Sequence, residues 1–461
     1  MDPFDFVIIG AGPAGEAAAY KARELGASVA IVDRRWFGGS CPHIGCLPSK
    51  SLLDGAHRHH DNAATYSWSD TSKARDYMVN RSADAAEPDD TGHEQRLADV
   101  GAEVYRGSAT ITGRGTVAIR HDATVHELKA KNILVAVGSS SRRPSIEGLD
   151  AIDVWTNEEA TLARELPRSL IVLGGGPTGC ELAQVYCRFG VPTTIVQSGP
   201  RLSPTDHPRN SEMLRSMLEA DGVVVRTGVR AIKARAAAGV DGAHVIELDD
   251  GSTVEGHTVL LAVGRSFPID DLGLEHFGID TTGRTPFPRD GRLHIADGLW
   301  IIGDTAGPEL HTHQGHYQGE LAVRMALGEA IKPDYRALPR ATYTDPEAAS
   351  VGLTLDQARD AGVDAFELVE PFATSAKGYA VQATMGHVTI VVDRATRELV
   401  GAAMACPDAS AAIHECVLAI KAHVTVDVLA ETIHAFPSTS RIFNGLFSEA
   451  LRELGPVHAD R

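Results

Sequence analysis

The stretch DFVIIGAGPAGEAAAYKARELGASVAIVD, residues 5–33, determines the fold of the N-terminal region. It begins with a short apolar run rich in β-branched residues, which is typical of a buried strand. A glycine turn and an alanine-rich helical segment follow, and a second apolar run ends at Asp33. This order is typical of a dinucleotide-binding fold, in which the turn and the helix N-terminus contact a pyrophosphate and the acid accepts hydrogen bonds from a ribose. The predicted contacts with the pyrophosphate are Gly10, Gly12, Pro13, Ala14 and Gly15.

The same unit recurs at residues 169–197, SLIVLGGGPTGCELAQVYCRFGVPTTIVQ. Its fingerprint glycines are Gly174, Gly176 and Gly179, but the second strand ends at Gln197 instead of an acid. A carboxylate would favour the ribose hydroxyls of NAD and repel a 2′-phosphate, whereas glutamine does neither strongly. Arg201 lies nearby in sequence, either as a phosphate ligand or as a solvated loop residue. We therefore expect NADPH, with NADH as the alternative.

Other segments also place glycine at the end of a predicted strand. KNILVAVG (131–138) and TVLLAVG (258–264) flank the second unit and end at Gly138 and Gly264. LWIIGD (299–304) ends at Gly303 and Asp304, where an acid can reach a cofactor hydroxyl. From about residue 341, alternating apolar runs indicate antiparallel strands with helices. The predicted fold class is α/β, with two Rossmann-like domains and a C-terminal α+β domain.

Composition excludes several classes of function. The chain has 461 residues and a formal net charge of -18, which disfavours a nucleic acid partner. It has no run of about 18 apolar residues, and its start lacks the order of a signal peptide, so we expect no membrane association and a cytoplasmic location. Six cysteines in such a chain do not form a disulfide scaffold.

Two of the cysteines lie five residues apart in GGSCPHIGCLPSK, residues 38–50. For Cys41 and Cys46, a metal clip, a structural bridge and a redox-active thiol pair are the three interpretations. A zinc site would need two more well-spaced ligands. The remaining cysteines lie in helical or strand patterns, where an inert, buried cysteine is the usual case; they are Cys180, Cys187, Cys406 and Cys416.

Taken together, both glycine fingerprints, Cys41-x4-Cys46, Gly303-Asp304 and the run YTDPEAASVG (343–352) resemble one family. It is the FAD-dependent pyridine nucleotide–disulfide oxidoreductases, such as dihydrolipoamide dehydrogenase, glutathione reductase and mercuric reductase. The resemblance implies a homodimeric flavoenzyme that uses FAD and NADP or NAD. It also implies an FAD-binding domain at 1–150 and 265–340, an NAD(P)-binding domain at 151–264 and a dimerisation domain at 341–461.

The resemblance assigns roles to individual residues. Cys46 would be the charge-transfer thiol beside the flavin, and Cys41 the thiol that meets substrate. A helix N-terminus lowers the pKa of a thiol, which would make the pair nucleophilic. Lys50 would lie near the flavin and Glu181 near the nicotinamide, where the two residues could pair. Further predicted cofactor contacts are Gly39, Ser40, Gly138 and Gly264.

Histidines near these motifs have open roles. His43 either stabilises a thiolate or caps a helix. His57, His59 and His60 are interpreted as a polar helix end. The resemblance places His311, His313 and His316 where the chain passes the flavin, so some of them border the substrate cavity. We predict no metal site, because no carboxylate shares their spacing.

The C-terminal run HAFPSTSR, residues 434–441, departs from the family. Members that reduce disulfides usually carry His-Pro there, with Glu four residues after the proline; this histidine, from the partner subunit, moves a proton to the thiol. Here Phe436 and Arg441 occupy the His and Glu positions, and neither transfers a proton. His434 lies two residues earlier, at a position where the family also often has histidine.

One family branch, 2-ketopropyl-coenzyme M oxidoreductase/carboxylase, resembles this pattern. It also has Phe for His and a basic residue for Glu, and its active-site stretch also reads Gly-Gly-Ser-Cys-Pro-His. We therefore expect an enzyme with a proton-poor site, acting on a thiol, thioether or disulfide. The alternative is a general disulfide, quinone or metal-ion reductase in which water, His43 or His434 supplies the proton.

Overall fold

The computed structural model describes residues 2–63, 65–82, 88–237, 242–281, 287 and 290–456. The chain divides into two compact units. Unit 1 comprises Met1–Ser51, Ser72–Arg142 and Gly264–Pro333, and unit 2 comprises Leu52–Thr71, Arg143–Val263 and Asp334–Arg461. The predicted boundaries of three domains stay a prediction, because unit 2 contains both the predicted NAD(P)-binding and dimerisation segments.

The strands and helices are numbered in chain order. The strands are β1 Phe4–Ile9, β2 Val29–Asp33, β3 Glu103–Arg106, β4 Ser108–Gly113, β5 Thr116–His121, β6 Thr124–Val135, β7 Ser140–Ser141, β8 Val154–Trp155, β9 Leu170–Leu173, β10 Thr193–Gln197, β11 Val224–Thr227, β12 Ala231–Ala236, β13 His244–Leu248, β14 Thr253–Gly256, β15 Thr258–Leu261, β16 Arg265–Ser266, β17 His294–Ala296, β18 Leu299–Ile301, β19 Arg340–Thr342, β20 Glu347–Gly352, β21 Ala365–Pro371, β22 His387–Asp393 and β23 Leu399–Cys406. The α-helices are α1 Pro13–Glu24, α2 Ser40–His43, α3 Cys46–Asp61, α4 Trp68–Asn80, α5 Thr91–Asp99, α6 Asn157–Leu162, α7 Pro177–Arg188, α8 Pro208–Ala220, α9 Thr312–Ala326, α10 Leu355–Asp360, α11 Ala376–Ala380, α12 Ala409–Ala412, α13 His414–Lys421, α14 Val426–Glu431 and α15 Arg441–Leu454. Short 3-10 helices span Leu149–Ala151, Leu274–Phe277, Gly303–Thr305 and Phe372–Thr374.

Unit 1 is built on a sheet with the order β17-β18-β6-β1-β2-β3, and β5 and β4 continue from β6 as an antiparallel extension. From β18 to β3 the strands run parallel. Parallel strands covered on both faces need continuous apolar runs, which explains the pattern of residues 5–9. Ile8 lies opposite Ile31 and Leu134, and all three are fully buried. Burial of each such side chain contributes about 1.5–3 kcal/mol.

Helices α1 and α9 pack closely within unit 1. A Cβ added at Gly319 would lie 2.3 Å from the carbonyl oxygen of Ala14, and one at Gly315 would lie 3.3 Å from the Ala14 Cβ. The small residues on α9 therefore allow the helix to reach the first turn of α1. This contact brings the start of α9 near the predicted pyrophosphate turn.

The described residues of unit 2 form three sheets. The parallel sheet has the order β11-β10-β9-β15-β8 and repeats the strand–glycine turn–helix–strand arrangement of unit 1. β12, β13 and β14 form an antiparallel sheet. The third sheet, β19-β20-β23-β22-β21, is antiparallel throughout, and α15 packs on it through Phe443 and Phe447. The predicted fold class is confirmed.

Among the described residues, no helix combines the length and the apolar character that crossing a bilayer requires.

Candidate active site

The first glycine turn has the geometry of an anion site. Gly10 has a φ of +105°, and a Cβ there would lie 2.3 Å from the Ala136 oxygen. A Cβ at Gly15 would lie 1.9 Å from the Gly10 oxygen, so only glycine fits at both positions. Gly12 is the N-cap of α1, and no side chain in the described part of the chain caps this helix. Pro13 and the N–H groups after it therefore begin the helix beside a cradle that fits a diphosphate, as FAD requires.

Asp33 supports this turn from the end of β2. Its Oδ2 accepts the N–H of Ala11 at 2.8 Å, and its Oδ1 accepts the N–H groups of Arg35 and Trp36 at 2.8 and 3.2 Å. Burial raises the pKa of the Asp33 carboxyl, and these backbone hydrogen bonds act in the opposite direction. Asp33 therefore stabilises the glycine turn and the segment after β2 by hydrogen bonds. Its contact with a ribose stays a prediction.

The segment that precedes the cysteines packs on the same turn. Gly39 has a φ of +67°, and a Cβ there would lie 2.6 Å from the Cα of Gly12. Gly39 is also the N-cap of α2, which begins at Ser40. Because neither Gly39 nor Gly12 has a side chain, their backbones can approach closely. The start of the cysteine segment therefore packs against the predicted pyrophosphate turn.

A second group in unit 1 surrounds Asp304. The Ser139 hydroxyl donates to Asp304 Oδ2, and Arg265 Nε donates to Ser139 Oγ at 2.8 Å. Gly138 has a φ of +62°, and among the described residues nothing lies within 4 Å of a Cβ added there. Gly303, with a φ of +74°, begins the 3-10 turn that carries Asp304. An acid at the carboxyl end of a parallel strand can accept a hydrogen bond from a cofactor hydroxyl.

The two cysteines of the motif lie on adjacent short elements. Cys41 is in α2, Cys46 is the first residue of α3, and both are free thiols in this structure. The Oγ1 of Thr312, the first residue of α9, lies 3.3 Å from Cys46 Sγ. A hydroxyl and a helix N-terminus both favour negative charge on a sulfur at this position.

The expected lowering of the thiol pKa is wrong for Cys41. A hydrogen bond to Cys46, followed by burial, raises the pKa of the Cys41 thiol well above its ordinary value. Thr312 acts in the opposite direction but does not outweigh these causes. The physical reason is that negative charge on one sulfur opposes ionisation of the sulfur next to it.

His43 is almost completely buried, with 1% of its surface exposed. Its Nε2 lies 2.9 Å from the carbonyl oxygen of Phe37, and its ring packs near Trp36 and His93. Its Nδ1 has no hydrogen-bond partner among the described residues. Burial lowers the pKa of His43, so the ring is neutral. Its predicted catalytic role stays a prediction.

The residues that follow Asp304 form a loop fixed by two glutamines of α9. Gln318 Oε1 accepts the N–H of Gly303 at 2.8 Å, and Gln314 Nε2 donates to the Gly307 oxygen at 2.8 Å. His311 Nε2 lies 2.9 Å from Glu309 Oε2, and its ring stacks on that of His313, with 4.9 Å between the centroids. This loop positions Thr312 for its contact with Cys46.

The second glycine turn, in unit 2, repeats the geometry of the first. Gly174 has a φ of +107°, and a Cβ at Gly179 would lie 2.1 Å from the Gly174 oxygen. Gly176 is the N-cap of α7 without a side-chain cap, and a Cβ there would meet no described atom within 4 Å. Gln197 Oε1 accepts the N–H of Gly175 at 2.9 Å, as Asp33 accepts that of Ala11. The turn therefore fits a second dinucleotide.

The remaining predicted cofactor residues lie outside the two glycine turns. Glu181 is buried, and its Oε1 accepts the N–H of Tyr343 at 2.9 Å. In unit 1, Lys50 Nζ donates to Ser49 Oγ at 3.4 Å, and Gly264 has a φ of +110° beside open space in the described chain. Arg201 Nη2 donates to the Pro204 oxygen at 2.7 Å. The preference for NADPH and a Lys50–Glu181 pair stay predictions.

The loop before α15 exposes its apolar residue and holds its histidine inward. Phe436 is 74% exposed. The His434 side chain is 6% exposed, with Nε2 at 2.7 Å from Glu415 Oε1 and Nδ1 at 3.0 Å from the Thr432 oxygen. Arg441 donates to the Asn444 side-chain oxygen. This loop therefore presents a phenyl ring, and not an imidazole, to its surroundings.

Sequence reasoning missed Thr312, Ser139 and Arg265, although each contacts a predicted site residue. Thr312 lies inside HTHQGH, where only the histidines were considered. His57 Nδ1 lies 2.7 Å from Asp345 Oδ2 and His59 Nδ1 contacts the Tyr66 oxygen, while His60 and His316 are exposed. Within the described ranges, no group of three or more His, Cys, Asp or Glu side chains has the arrangement of a metal site.

Comparison with known proteins agrees with this architecture. The pyridine nucleotide-disulphide oxidoreductase family profile matches residues 4–321, and its dimerisation domain profile matches residues 338–446. Dihydrolipoyl dehydrogenase from Chlorobaculum tepidum is 34% identical over 461 residues, covering 98% of each chain. The same enzyme from Geobacillus stearothermophilus is 32% identical, covering 95% of this chain and 94% of its own.

Solved structures are similar over the same length. A Cu(II) complex of the HOCl-induced flavoprotein disulfide reductase RclA from Escherichia coli has a TM-score of 0.86 and 25% identity, covering 97% of this chain and 100% of its own. LpdA from Mycobacterium tuberculosis has a TM-score of 0.85 and 26% identity, covering 98% and 100%. The profile matches, the relatives and the geometry agree: the chain belongs to the pyridine nucleotide-disulphide oxidoreductase family and is a flavin-dependent oxidoreductase with a dimerisation domain.

Proposed function

We propose that this enzyme uses NADPH, or NADH, to reduce the Cys41–Cys46 pair, which then reduces an electrophilic sulfur substrate in a site that supplies few protons. FAD, held by the first glycine turn, Asp33 and Asp304, supplies two-electron transfer from the nicotinamide nucleotide to the cysteine pair. The second glycine turn and Gln197 hold the nicotinamide nucleotide. The enzyme is a homodimer of the reducing cytoplasm.

The chain's own sulfur chemistry follows from the two cysteines. With a disulfide substrate, Cys41 first loses its proton to solvent; the Cys41 thiolate then attacks one substrate sulfur, and the first substrate thiolate leaves. Cys46 Sγ then attacks Cys41 Sγ, the second thiolate leaves, and the Cys41–Cys46 disulfide forms again. Two electrons pass from the cysteine pair to the substrate. The contact of Thr312 Oγ1 with Cys46 Sγ, at 3.3 Å, supports Cys46 as the sulfur that carries charge between these steps.

The observation that carries the proton-poor site is the orientation of the 432–437 loop. Phe436, at the position of the family histidine, is exposed, whereas His434 is turned inward onto Glu415 at 2.7 Å. The His434 side chain is therefore buried in its own fold, and the exposed Phe436 occupies the position of the family's acid–base group. Losing a positioned general acid–base costs about 10²- to 10⁴-fold in a reaction that needs a proton.

A reaction that must exclude protons would benefit from having Phe436 and Arg441 in place of the family's histidine and glutamate. Reductive cleavage of a thioether beside a carbonyl leaves an enolate, and a proton donor would quench it before another electrophile could react. This reasoning supports a relationship to 2-ketopropyl-coenzyme M oxidoreductase/carboxylase and a thioether or thiol substrate. Carbon dioxide is a candidate electrophile for such an enolate.

The second candidate is a general disulfide, quinone or metal-ion reductase. It is supported by similarity to dihydrolipoyl dehydrogenases along nearly the whole chain and by the Cu(II) complex of RclA. In this candidate water supplies the proton, because both His43 and His434 are buried side chains with partners in their own fold.

An anaerobic titration tests the proposal. Addition of NADPH to the purified yellow enzyme should produce a long-wavelength absorption band after two-electron reduction, and Cys46→Ser should lose this band. The matched control is Cys187→Ser, because Cys187 lies elsewhere, with its Sγ 3.2 Å from the Asp221 oxygen. If wild-type enzyme shows no such band, or if it reduces lipoamide at ordinary reductase rates, the proposal is wrong.

A further inference from the structure

Two consecutive glycines lead into the helix that carries Cys41. Gly38 and Gly39 have φ values of +87° and +67°, so the chain between β2 and α2 has little side-chain bulk to fix its path. Main-chain hydrogen bonds join the Gly38 N–H to the Ala11 oxygen at 2.8 Å and the Gly39 N–H to the Trp36 oxygen at 3.0 Å. The direction in which α2 leaves this turn therefore depends on the side chains that bind the turn from outside.

Phe37, just before the glycines, is bound by side chains at both ends of its main chain. Its N–H donates to Asp90 Oδ2 at 2.8 Å, and its carbonyl oxygen lies 2.9 Å from His43 Nε2. Asp90 in turn accepts hydrogen bonds from Arg106 Nη1 and Nη2 at 3.0 and 3.1 Å. The Phe37 ring is fully buried, with the Arg106 guanidinium 4.8 Å from its centroid. Phe37 is thus a fixed point to which His43, the last residue of α2, binds.

The hydrogen bond to Phe37 determines the tautomer of His43. A carbonyl oxygen only accepts, so in the neutral ring Nε2 carries the proton and Nδ1 keeps a lone pair. Nδ1 is buried and has no hydrogen-bond partner in the described part of the chain. A buried acceptor left in this way costs about 1–3 kcal/mol of stability. An apolar ring would pack here without this cost, so stability alone does not explain an imidazole at this position.

The rings around His43 restrict its orientation. Trp36 and His93 both pack against it, each with its ring centroid 5.6 Å from that of His43. His93 Nδ1 lies 2.9 Å from Oε1 of Glu16, a residue in the first turn of α1. A Cβ added at Gly38 would lie 2.7 Å from the His93 ring, so His93 also lies against the glycine segment. An imidazole packed in this way holds its N–H donor in one direction.

We propose that His43 is a positioning residue for the cysteine pair. Its Nε2–H group binds the Phe37 oxygen and so fixes α2, which carries Cys41, relative to Cys46. The inference rests on the proposed function, in which these two cysteines exchange electrons with the substrate. Groups held in reacting geometry have a high effective concentration toward each other. Loss of the Nε2–H donor therefore weakens the Cys41–Cys46 disulfide relative to the two thiols.

Three variants of His43 separate the hydrogen-bond donor from the ring. His43→Phe keeps a ring but has no donor. His43→Asn has a donor that lies one bond closer to the backbone and does not reach the Phe37 oxygen. His43→Gln carries an N–H group at the same number of bonds from the backbone as Nε2. We expect His43→Gln to resemble wild type, and the other two variants to differ from it in the same direction.

The reduction potential of the Cys41–Cys46 disulfide is the readout. The oxidised enzyme is equilibrated without oxygen in dithiothreitol redox buffers, and free thiols at the two positions are measured by alkylation and mass spectrometry. Each dithiothreitol passes two electrons and two protons to the disulfide and becomes a cyclic disulfide. His43→Phe and His43→Asn should lower the effective concentration about tenfold, which raises the potential by about 30 mV. Potentials equal to that of wild type in both variants, or no rescue by His43→Gln, would overturn the proposal.

A control variant separates positioning from a general loss of stability. Ser28→Ala removes the hydrogen bonds of Ser28 Oγ with Asp5, at the start of β1 and just before β2. These strands run parallel, so this pair lies at the opposite end from the first glycine turn. Ser28→Ala should lower the free energy of unfolding without changing the potential. A shift in potential as large as that of His43→Phe would assign the effect to overall stability and overturn the proposal.

The potential also separates this inference from the proposed function, because its measurement needs neither NADPH nor a sulfur substrate. Equal potentials would overturn the positioning role even if Cys41→Ser abolishes turnover of the disulfide 4,4′-dithiodipyridine. If Cys41→Ser retains turnover while the potentials of the His43 variants differ as expected, the positioning role stands and the proposed function is wrong.

Discussion

The cysteine segment of unit 1 and the 432–441 loop of unit 2 differ in what they retain of the family's chemistry. At the cysteine segment, each part supports sulfur redox chemistry: Gly39 packs on the first glycine turn, Cys46 begins α3, and Thr312 contacts its sulfur. At the loop, Phe436 is exposed and His434 is bound to Glu415. From this difference we propose that the enzyme keeps the electron path of the family and lacks its usual proton path.

The largest expected effect tests the electron path. Cys41→Ser should lower turnover of any disulfide substrate by at least about 10³-fold, because serine cannot form the mixed disulfide. Steady-state oxidation of NADPH with 4,4′-dithiodipyridine measures it. Cys187→Ser is the control and should keep wild-type turnover. Substantial turnover of the disulfide by Cys41→Ser would contradict the assignment of electron transfer to the cysteine pair.

The next effect tests the proton path. Phe436→His/Arg441→Glu restores the family's residues and should raise turnover of lipoamide by about 10²-fold, since a positioned acid–base group contributes about 10²–10⁴. Phe436→Tyr/Arg441→Gln, measured in the same assay, controls for the change in size and charge. No gain in the His/Glu variant would show that the loop does not limit the reaction.

Thr312→Val should produce a smaller effect that sharpens the account of Cys46. Loss of the hydroxyl removes a hydrogen bond to a charged sulfur, worth about 1.5–3 kcal/mol, so the long-wavelength band should weaken and its appearance should shift to higher pH. Thr312→Ser keeps the hydroxyl and should resemble wild type. Identical titrations for Thr312→Val and wild type would show that the Thr312 hydroxyl does not influence the Cys46 sulfur.

The smallest effect concerns His43 and the stability of unit 1. Its pKa is lowered in the folded state by burial, so only the unfolded chain takes up this proton as the pH falls below about 6.5. The free energy of unfolding should therefore fall in acid, and His43→Asn should flatten this dependence in urea titrations at pH 7.5 and 5.5. The exposed His60→Asn should leave it unchanged, and an unchanged slope in His43→Asn would contradict the account.

Local patterns in the sequence predict the elements that we propose to hold the cofactors. The apolar runs and glycines of residues 5–33 and 169–197 determine β1, α1, β2 and their repeat, because strand period and turn chemistry are properties of a few adjacent residues. The start of α3 at Cys46 follows from the motif as well. These features need no knowledge of the rest of the chain.

Long-range contacts were not predictable in the same way. Thr312 and Cys46 are 266 residues apart, and no pattern in either segment indicates that their side chains meet. The pKa of Cys41 depends on the proximity of Cys46 more than on the helix N-terminus, and that balance requires the geometry. The sequence predicts a ribose contact for Asp33; its hydrogen bonds to the N–H groups of Ala11, Arg35 and Trp36 become visible only in the folded loop.

We propose that the reduced cysteine pair reacts without an acid–base group at the position of Phe436. The most direct measurement is a single-turnover pH profile: enzyme reduced with one equivalent of NADPH is mixed anaerobically with 4,4′-dithiodipyridine, and thiol release is followed. The account predicts that wild-type rates show no titration with a pKa near that of histidine, about 6.5, and that Phe436→His/Arg441→Glu gains one. A wild-type profile that already contains such a titration, with rates equal to the variant, would contradict it.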